Sequence, residues 1–120
     1  MYHIQKTPDY LILHFSGQVD LGELLAAVKE EMTRADYPDS NDIYALDGAI
    51  FAVSQEEFAI LLSAVRRLYP SGAKRTKTAF VARSELVQAM ANLWAAEAQK
   101  LPFQSKSFGS LVEAERWLAE

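Results

Sequence analysis

The sequence contains no cysteine. Disulfide frameworks, CxxC redox sites, thiolate metal sites and cysteine nucleophiles are therefore excluded. Glycine and proline are sparse, at five and four, and no flexible linker, low-complexity stretch or solenoid-length repeat interrupts the chain. Long apolar runs are also missing. The longest unbroken aliphatic or aromatic stretches are residues 49–53 and 58–62, far short of the roughly 20 residues that a membrane-spanning helix needs. The N-terminus carries His3, Lys6 and Asp9 where a signal peptide requires an apolar stretch. A cytoplasmic protein with no membrane insertion is expected. Nor is there an excess of positive charge: the formal net charge is −4, which gives no case for nucleic acid as a partner.

What is present is apolar residues in regular order. Half of the 120 residues are hydrophobic, which rules out a disordered chain, and a chain of this length buries roughly two thirds of its unfolded surface. A single domain over residues 1–120 is expected. Residues 2–6 and 10–16 read as strands around a Pro8-Asp9 turn, with Leu11, Leu13 and Phe15 on one face. Asp20 opens a helix, with Glu23 at the reciprocal capping-box position and Leu21, Leu24, Leu25, Val28 and Met32 at helical spacing to about Arg34. Residues 36–41 are a turn-rich stop. Ile43, Tyr44, Ala45 and Leu46 form a short run before Asp47-Gly48, the pattern of a strand buried on both faces. Ser54 with Glu57 predicts a capped helix bearing Phe58, Leu61, Leu62, Val65 and Leu68, ended by Pro70 and Gly72.

Residues 77–82 predict the next strand, and Ser84 caps a third helix carrying Leu86, Met90, Leu93, Trp94 and Ala98. A last strand over residues 104–108 precedes a Ser110/Glu113 capping box and a helix whose Leu111, Ala114, Trp117 and Leu118 face inward. The order is ββα-βα-βα-βα. Right-handed crossovers then require an α/β fold, with a mainly parallel five-stranded sheet, an antiparallel N-terminal strand and four helices.

With that order, residues 43–49 (Ile-Tyr-Ala-Leu-Asp-Gly-Ala) and the ending Phe108-Gly-Ser-Leu-Val-Glu-Ala-Glu-Arg-Trp117-Leu118 resemble the bacterial SpoIIAA-like, or STAS-like, small domains. STAS denotes sulfate transporter and anti-sigma-factor antagonist. The resemblance covers the whole chain, at positions that are mostly packing or capping positions. It implies a non-enzymatic regulatory domain that binds a protein or a small ligand, with no cofactor. In anti-sigma-factor antagonists the helix after this strand begins Asp-Ser-x-Gly, and that Ser is phosphorylated by a partner kinase. Here the matching residues are Val53, Ser54, Gln55 and Glu56. Ser54 is retained, but Glu56 and Glu57 would repel a phosphate dianion, which argues for Ser54 as a helix cap rather than a phospho-switch. Relatives often show Gly-x-Ala-Arg-Met in the third helix; this chain has Ala89-Met90-Ala91-Asn92-Leu93, so any role of that Arg is lost.

Three surfaces are candidates for binding. Ser54, Ser84 and Ser110 start helices that all rise from the carboxyl edge of the sheet, where free N–H groups and nearby Arg83 could meet an anion, although three ordinary caps explain them as well. No glycine-rich phosphate loop accompanies them. Residues 48–53 form an apolar connection in which Ile50 and Phe51 either fold onto the core or line a pocket for a small apolar, lipid-like ligand. The third surface is basic: between Glu57 and Glu85 the chain has no acid but holds Arg66, Arg67, Lys74, Arg75, Lys77 and Arg83, a side suited to an acidic partner or simply solvated. His3 and His14 face each other in the hairpin register, yet two ligands without a third make no metal site. Asp47 at a strand end reads as a loop anchor more readily than as a general base, and no catalytic set is expected. The partners left open are another protein, a small apolar ligand and a second copy of the chain as a homodimer.

Overall fold

The structure, a computed structural model, describes residues 1–34, 37, 39–69 and 76–120. It opens with a hairpin of β1 (Tyr2–Lys6) and β2 (Tyr10–Phe15), in which Tyr2 pairs with Phe15, Ile4 with Leu13 and His3 with His14. This is the register that the apolar alternation predicts. Thr7 closes the turn, donating from its N–H and its hydroxyl to the Tyr10 carbonyl at 2.9 and 2.8 Å. There follow β3 (Gly17–Asp20), α1 (Leu21–Met32), β4 (Asn41–Ala45), β5 (Ala49–Ala52), α2 (Gln55–Leu68), β6 (Lys77–Val81), α3 (Glu85–Ala98), β7 (Gln104–Phe108) and α4 (Leu111–Ala119). The main sheet runs β1-β2-β4-β6-β7, with β1 antiparallel and the rest parallel. The expected α/β architecture of five sheet strands and four helices is present.

β3 and β5 depart from the expected order. Residues 48–53, read as a connection, contain a strand that pairs in parallel with Gly17–Asp20 as a separate two-stranded sheet. Burying this segment's apolar side chains also takes its backbone from water, and the pairing satisfies those N–H and C=O groups. Glycine makes the crossing. Gly17 has φ +69°, the left-handed conformation that glycine adopts without strain, and its N–H donates to the Gly48 carbonyl at 3.1 Å. A Cβ on Gly48 would lie 2.6 Å from the Phe15 carbonyl oxygen, so the two strands approach too closely there for any side chain.

Two apolar layers flank the main sheet. On one face α1, α2 and α3 pack Leu24, Phe58, Leu61 and Trp94 against Leu13, Tyr44 and Phe80. On the other, α4 lays Ala114 and Leu118 over Ile12, Ile43, Ala79 and Val81. Trp94 is the keystone of the first layer, stacked on Phe58 at 4.3 Å and edge-on to Phe51 at 5.2 Å. The caps form as expected: Asp20, Ser54, Ser84 and Ser110 each accept from the N–H three residues on. Among the described residues the full reciprocal box is present at Ser54 and Glu57 alone. Glu23 instead pairs with the Met1 amino group.

Two inward faces need correction. On α3 the buried row is Ala91, Trp94, Ala95 and Ala98, while Leu86 and Leu93 point to solvent. Both rows have helical spacing, and the row with small residues wins because it lets α3 lie close to β6 and β7 around one large ring. On α4 Leu111 is exposed and Trp117 only half-buried. The basic stretch is also partly reassigned. Lys77 donates from Nζ to the carbonyls of Trp117 and Glu120, both at 2.9 Å, a cation closing a helix C-terminus. Arg66 donates to the Lys100 carbonyl at 2.7 Å. Lys74 and Arg75, like Pro70 and Gly72, lie outside the described residues. Among those described, no helix is long and apolar enough to cross a membrane.

Candidate functional site

The carboxyl edge of the sheet gathers some of the expected residues and separates others. An open groove of about 510 Å³ runs along the α4 side, floored by Ile12, Ala45 and Val81 and walled by Arg83, Ser84 and Leu111. Asp47 organises one wall. Its carboxylate accepts from the Arg83 N–H at 2.7 Å through both oxygens and more distantly from the Ser84 N–H at 3.5 Å. Asp47 is thus the loop anchor that the sequence suggested. With the Ser84 hydroxyl accepting from Val87 N–H at 3.2 Å, the N–H groups of Arg83, Ser84 and Val87 at the start of α3 are engaged by the protein's own acceptors. Ser54 lies elsewhere, in a shallow depression with Gln55, Glu56, Ala59 and Glu97. Two carboxylates border it. The structure therefore unites Arg83 with Ser84 in one groove that Leu111, the residue after Ser110, also lines, and keeps Ser54 apart.

Strand alternation splits Ile50 from Phe51. As neighbours in β5 they point to opposite faces: Ile50 is 74% exposed, whereas Phe51 is half-buried against Phe15 and Trp94. Phe51 is a packing residue here, and Ile50 alone of the pair offers an apolar surface. His3 and His14 stack at 5.9 Å on the exposed face of the hairpin, with His14 Nε2 3.2 Å from Gln5 Oε1. Among the described residues no group of three or more His, Cys, Asp or Glu could hold a metal ion.

The opposite end of the sheet holds a cluster that the sequence reading missed. Glu31 on α1 and Asp42 on β4 are both buried, at 1% and 6% exposure, and their carboxyl groups are hydrogen-bonded to each other. The Tyr44 hydroxyl donates to Glu31 Oε1 at 3.0 Å, and the Thr78 hydroxyl donates to Asp42 Oδ1. Burial, then the charge of Asp42, pushes the Glu31 carboxyl well above its usual range, while Tyr44 and the Arg34 guanidinium pull it back. Burial also raises Asp42, opposed by its hydrogen bonds from Glu31 and Thr78. Tyr37 and Tyr44 are raised by burial and then by these same carboxyls, and both stay neutral at physiological pH. Beside the cluster lies a cavity of about 40 Å³, walled mainly by Phe58, Leu61, Phe80 and Trp94. One signal could have exposed it. Leu24, Ala27, Val28 and Glu31 are all buried on one helical row, so the apolar stripe continues through an acid.

No family model matches the chain, and no curated protein matches it closely enough to carry an argument. The solved structures similar to it include two that match nearly the whole chain. One is an uncharacterised protein of the DUF3478 family with a SpoIIAA-like fold from Shewanella loihica: TM-score 0.61, 15% identity, covering 98% of this chain and 92% of that one. The other is the anti-sigma factor antagonist SpoIIAA in its unphosphorylated form, at TM-score 0.54 and 12% identity, covering 97% and 94%. At these identities the likeness concerns the fold alone. The element order, the mixed five-stranded sheet and the two similar structures together show that this chain has a SpoIIAA-like, STAS-like fold.

Proposed function

We propose that residues 1–120 act as one non-catalytic regulatory domain in the cytoplasm, docking a protein partner through the carboxyl-edge surface around β5 and the start of α2. The observation that carries this reading is Ile50, a β-branched side chain 74% exposed on a short strand, one turn of chain before the capped start of α2. Large apolar side chains at a polar rim mark protein contacts. Leu86, 84% exposed at the start of α3, adds a second apolar point on the same edge, and Arg83, Ser84 and Ser110 supply polar ones. A similar fold carries an anti-sigma factor antagonist, a protein named for opposing another protein. Ser54 serves as a helix cap in this reading. The buried acids do not suggest a reaction, because both are shielded from any substrate.

The alternative is a carrier for a small apolar ligand near residues 48–53, and Ile50 is what remains to support it. Native mass spectrometry of the protein purified from its own host, with and without Ile50→Asp, separates the two. Docking is expected to give an additional polypeptide at defined stoichiometry that Ile50→Asp removes, with folding stability changed by less than about 0.5 kcal/mol. A lipid-sized adduct without a polypeptide would favour the carrier, and a polypeptide retained by Ile50→Asp would move the docking surface away from β5.

A further inference from the structure

Two carboxyl groups cannot both be ionised while hydrogen-bonded to each other out of water; one of them must hold a proton. The surrounding donors indicate which. Asp42 Oδ1 already accepts from Thr78, and Glu31 Oε1 already accepts from Tyr44. Among the described residues no hydrogen-bond donor reaches Glu31 Oε2, which leaves that oxygen able to hold the proton. The chain of donors thus runs Tyr44 to Glu31 to Asp42, with Thr78 closing on Asp42 from the other side.

This chain of bonds crosses between elements. Glu31 lies in the last turn of α1, Asp42 and Tyr44 on β4, and Thr78 on β6. The apolar cavity beside it is bounded by α1, α2, α3 and the sheet. We propose that one proton shared between Glu31 and Asp42 latches the end of α1 onto the sheet, and that its loss as pH rises frees this end and exposes the apolar side chains beneath. With the proton gone, two buried negative charges face each other. Among the described residues the positive charge near them is Arg34, just beyond α1. Tyr37, Tyr44 and Thr78 are the other polar groups facing the pair, and neutral donors cannot compensate two charges. The sides of α2 and α3 that line the cavity present Phe58, Leu61, Leu62, Val65, Trp94 and Ala98, none of which carries charge. This device is independent of the docking surface at the opposite edge.

The test uses a dye that fluoresces on apolar surface, anilinonaphthalene sulfonate, titrated against the whole protein from pH 5 to pH 9 alongside far-ultraviolet circular dichroism. For the wild type, dye fluorescence is expected to rise several-fold with pH while helix content changes little. Glu31→Gln replaces the protonated acid by an amide of the same shape: Oε1 still accepts from Tyr44 and Nε2 now donates to Asp42. Its fluorescence is expected to stay flat across the range. A flat wild-type titration overturns the proposal, as does a rise of equal size in Glu31→Gln. Failure of Glu31→Gln to fold also counts against it, since the amide keeps every bond of the latch. Carbon-13 NMR of the wild-type Glu31 carboxyl gives an independent reading: a midpoint at the ordinary value for Glu overturns the proposal, and an elevated one supports it.

Discussion

The two ends of the main sheet are built on opposite plans. At the carboxyl edge the polar groups are local and exposed. Serine caps hold the starts of α2, α3 and α4, Asp47 ties down the turn after β6, and Ile50 and Leu86 are left in water. At the amino edge the polar groups are buried and reach between elements, with Tyr44 bonded to Glu31 and Thr78 to Asp42 beside a wall of aromatic rings. Exposed caps cost little to break and leave the surface free for contact. Buried polar groups have no water to fall back on, so each missing partner costs its full desolvation. The first end is suited to being recognised, the second to holding the layers in one arrangement.

Substitutions at the two ends should therefore differ in size. The largest effect is expected at the wall of the buried end: Trp94→Ala removes the ring that joins Phe51, Phe58 and Phe80 and should cost about 3–5 kcal/mol in urea unfolding. Tyr44→Phe removes only a hydroxyl but leaves Glu31 Oε1 without its donor, for an expected loss of about 1–3 kcal/mol. The exposed end responds less. Ser54→Ala takes away one half of a capping box and should lower stability by about 1 kcal/mol, with no phosphorylated form of the wild type detectable by mass spectrometry of cell-derived protein. If Ser54→Ala proved costlier than Tyr44→Phe, the contrast between the two ends would be lost.

Features set by near neighbours were the more legible in the sequence. Caps are read from Ser, Asp and Glu at fixed offsets, and the hairpin register from alternation around Pro8-Asp9, because both are set by near neighbours. β3 and β5 were hidden because each is four residues long and owes its form to a partner about 32 positions away. The same locality explains the error on α3, where Leu86 and Leu93 look like core residues until the distance of the helix from the sheet selects the alanine row. The acid cluster escaped for a different reason. Glu31 and Asp42 carry the signature of surface residues, and burying them becomes affordable only through each other, a pairing that sequence spacing does not reveal. Asp42 falls between the turn-rich residues 36–41 and the apolar run that begins at Ile43, yet it lies inside β4.

The claim that the amino edge is held by a protonated acid is tested most directly by unfolding the wild type and Glu31→Gln side by side over a series of pH values. An unfolded Glu titrates near about 4.3, and the folded Glu31 lies well above its ordinary value. The folded state thus holds a proton that the unfolded chain has released, so the contribution of Glu31 to stability is complete below that pH and is lost as pH rises toward the folded value. Glutamine has no proton to lose, and the comparison cancels the titrating groups outside the Glu31–Asp42 pair. The stability of Glu31→Gln relative to wild type is expected to grow by up to about 1.4 kcal/mol per pH unit above the unfolded value. A difference that stays constant with pH, or shrinks as pH rises, would contradict it.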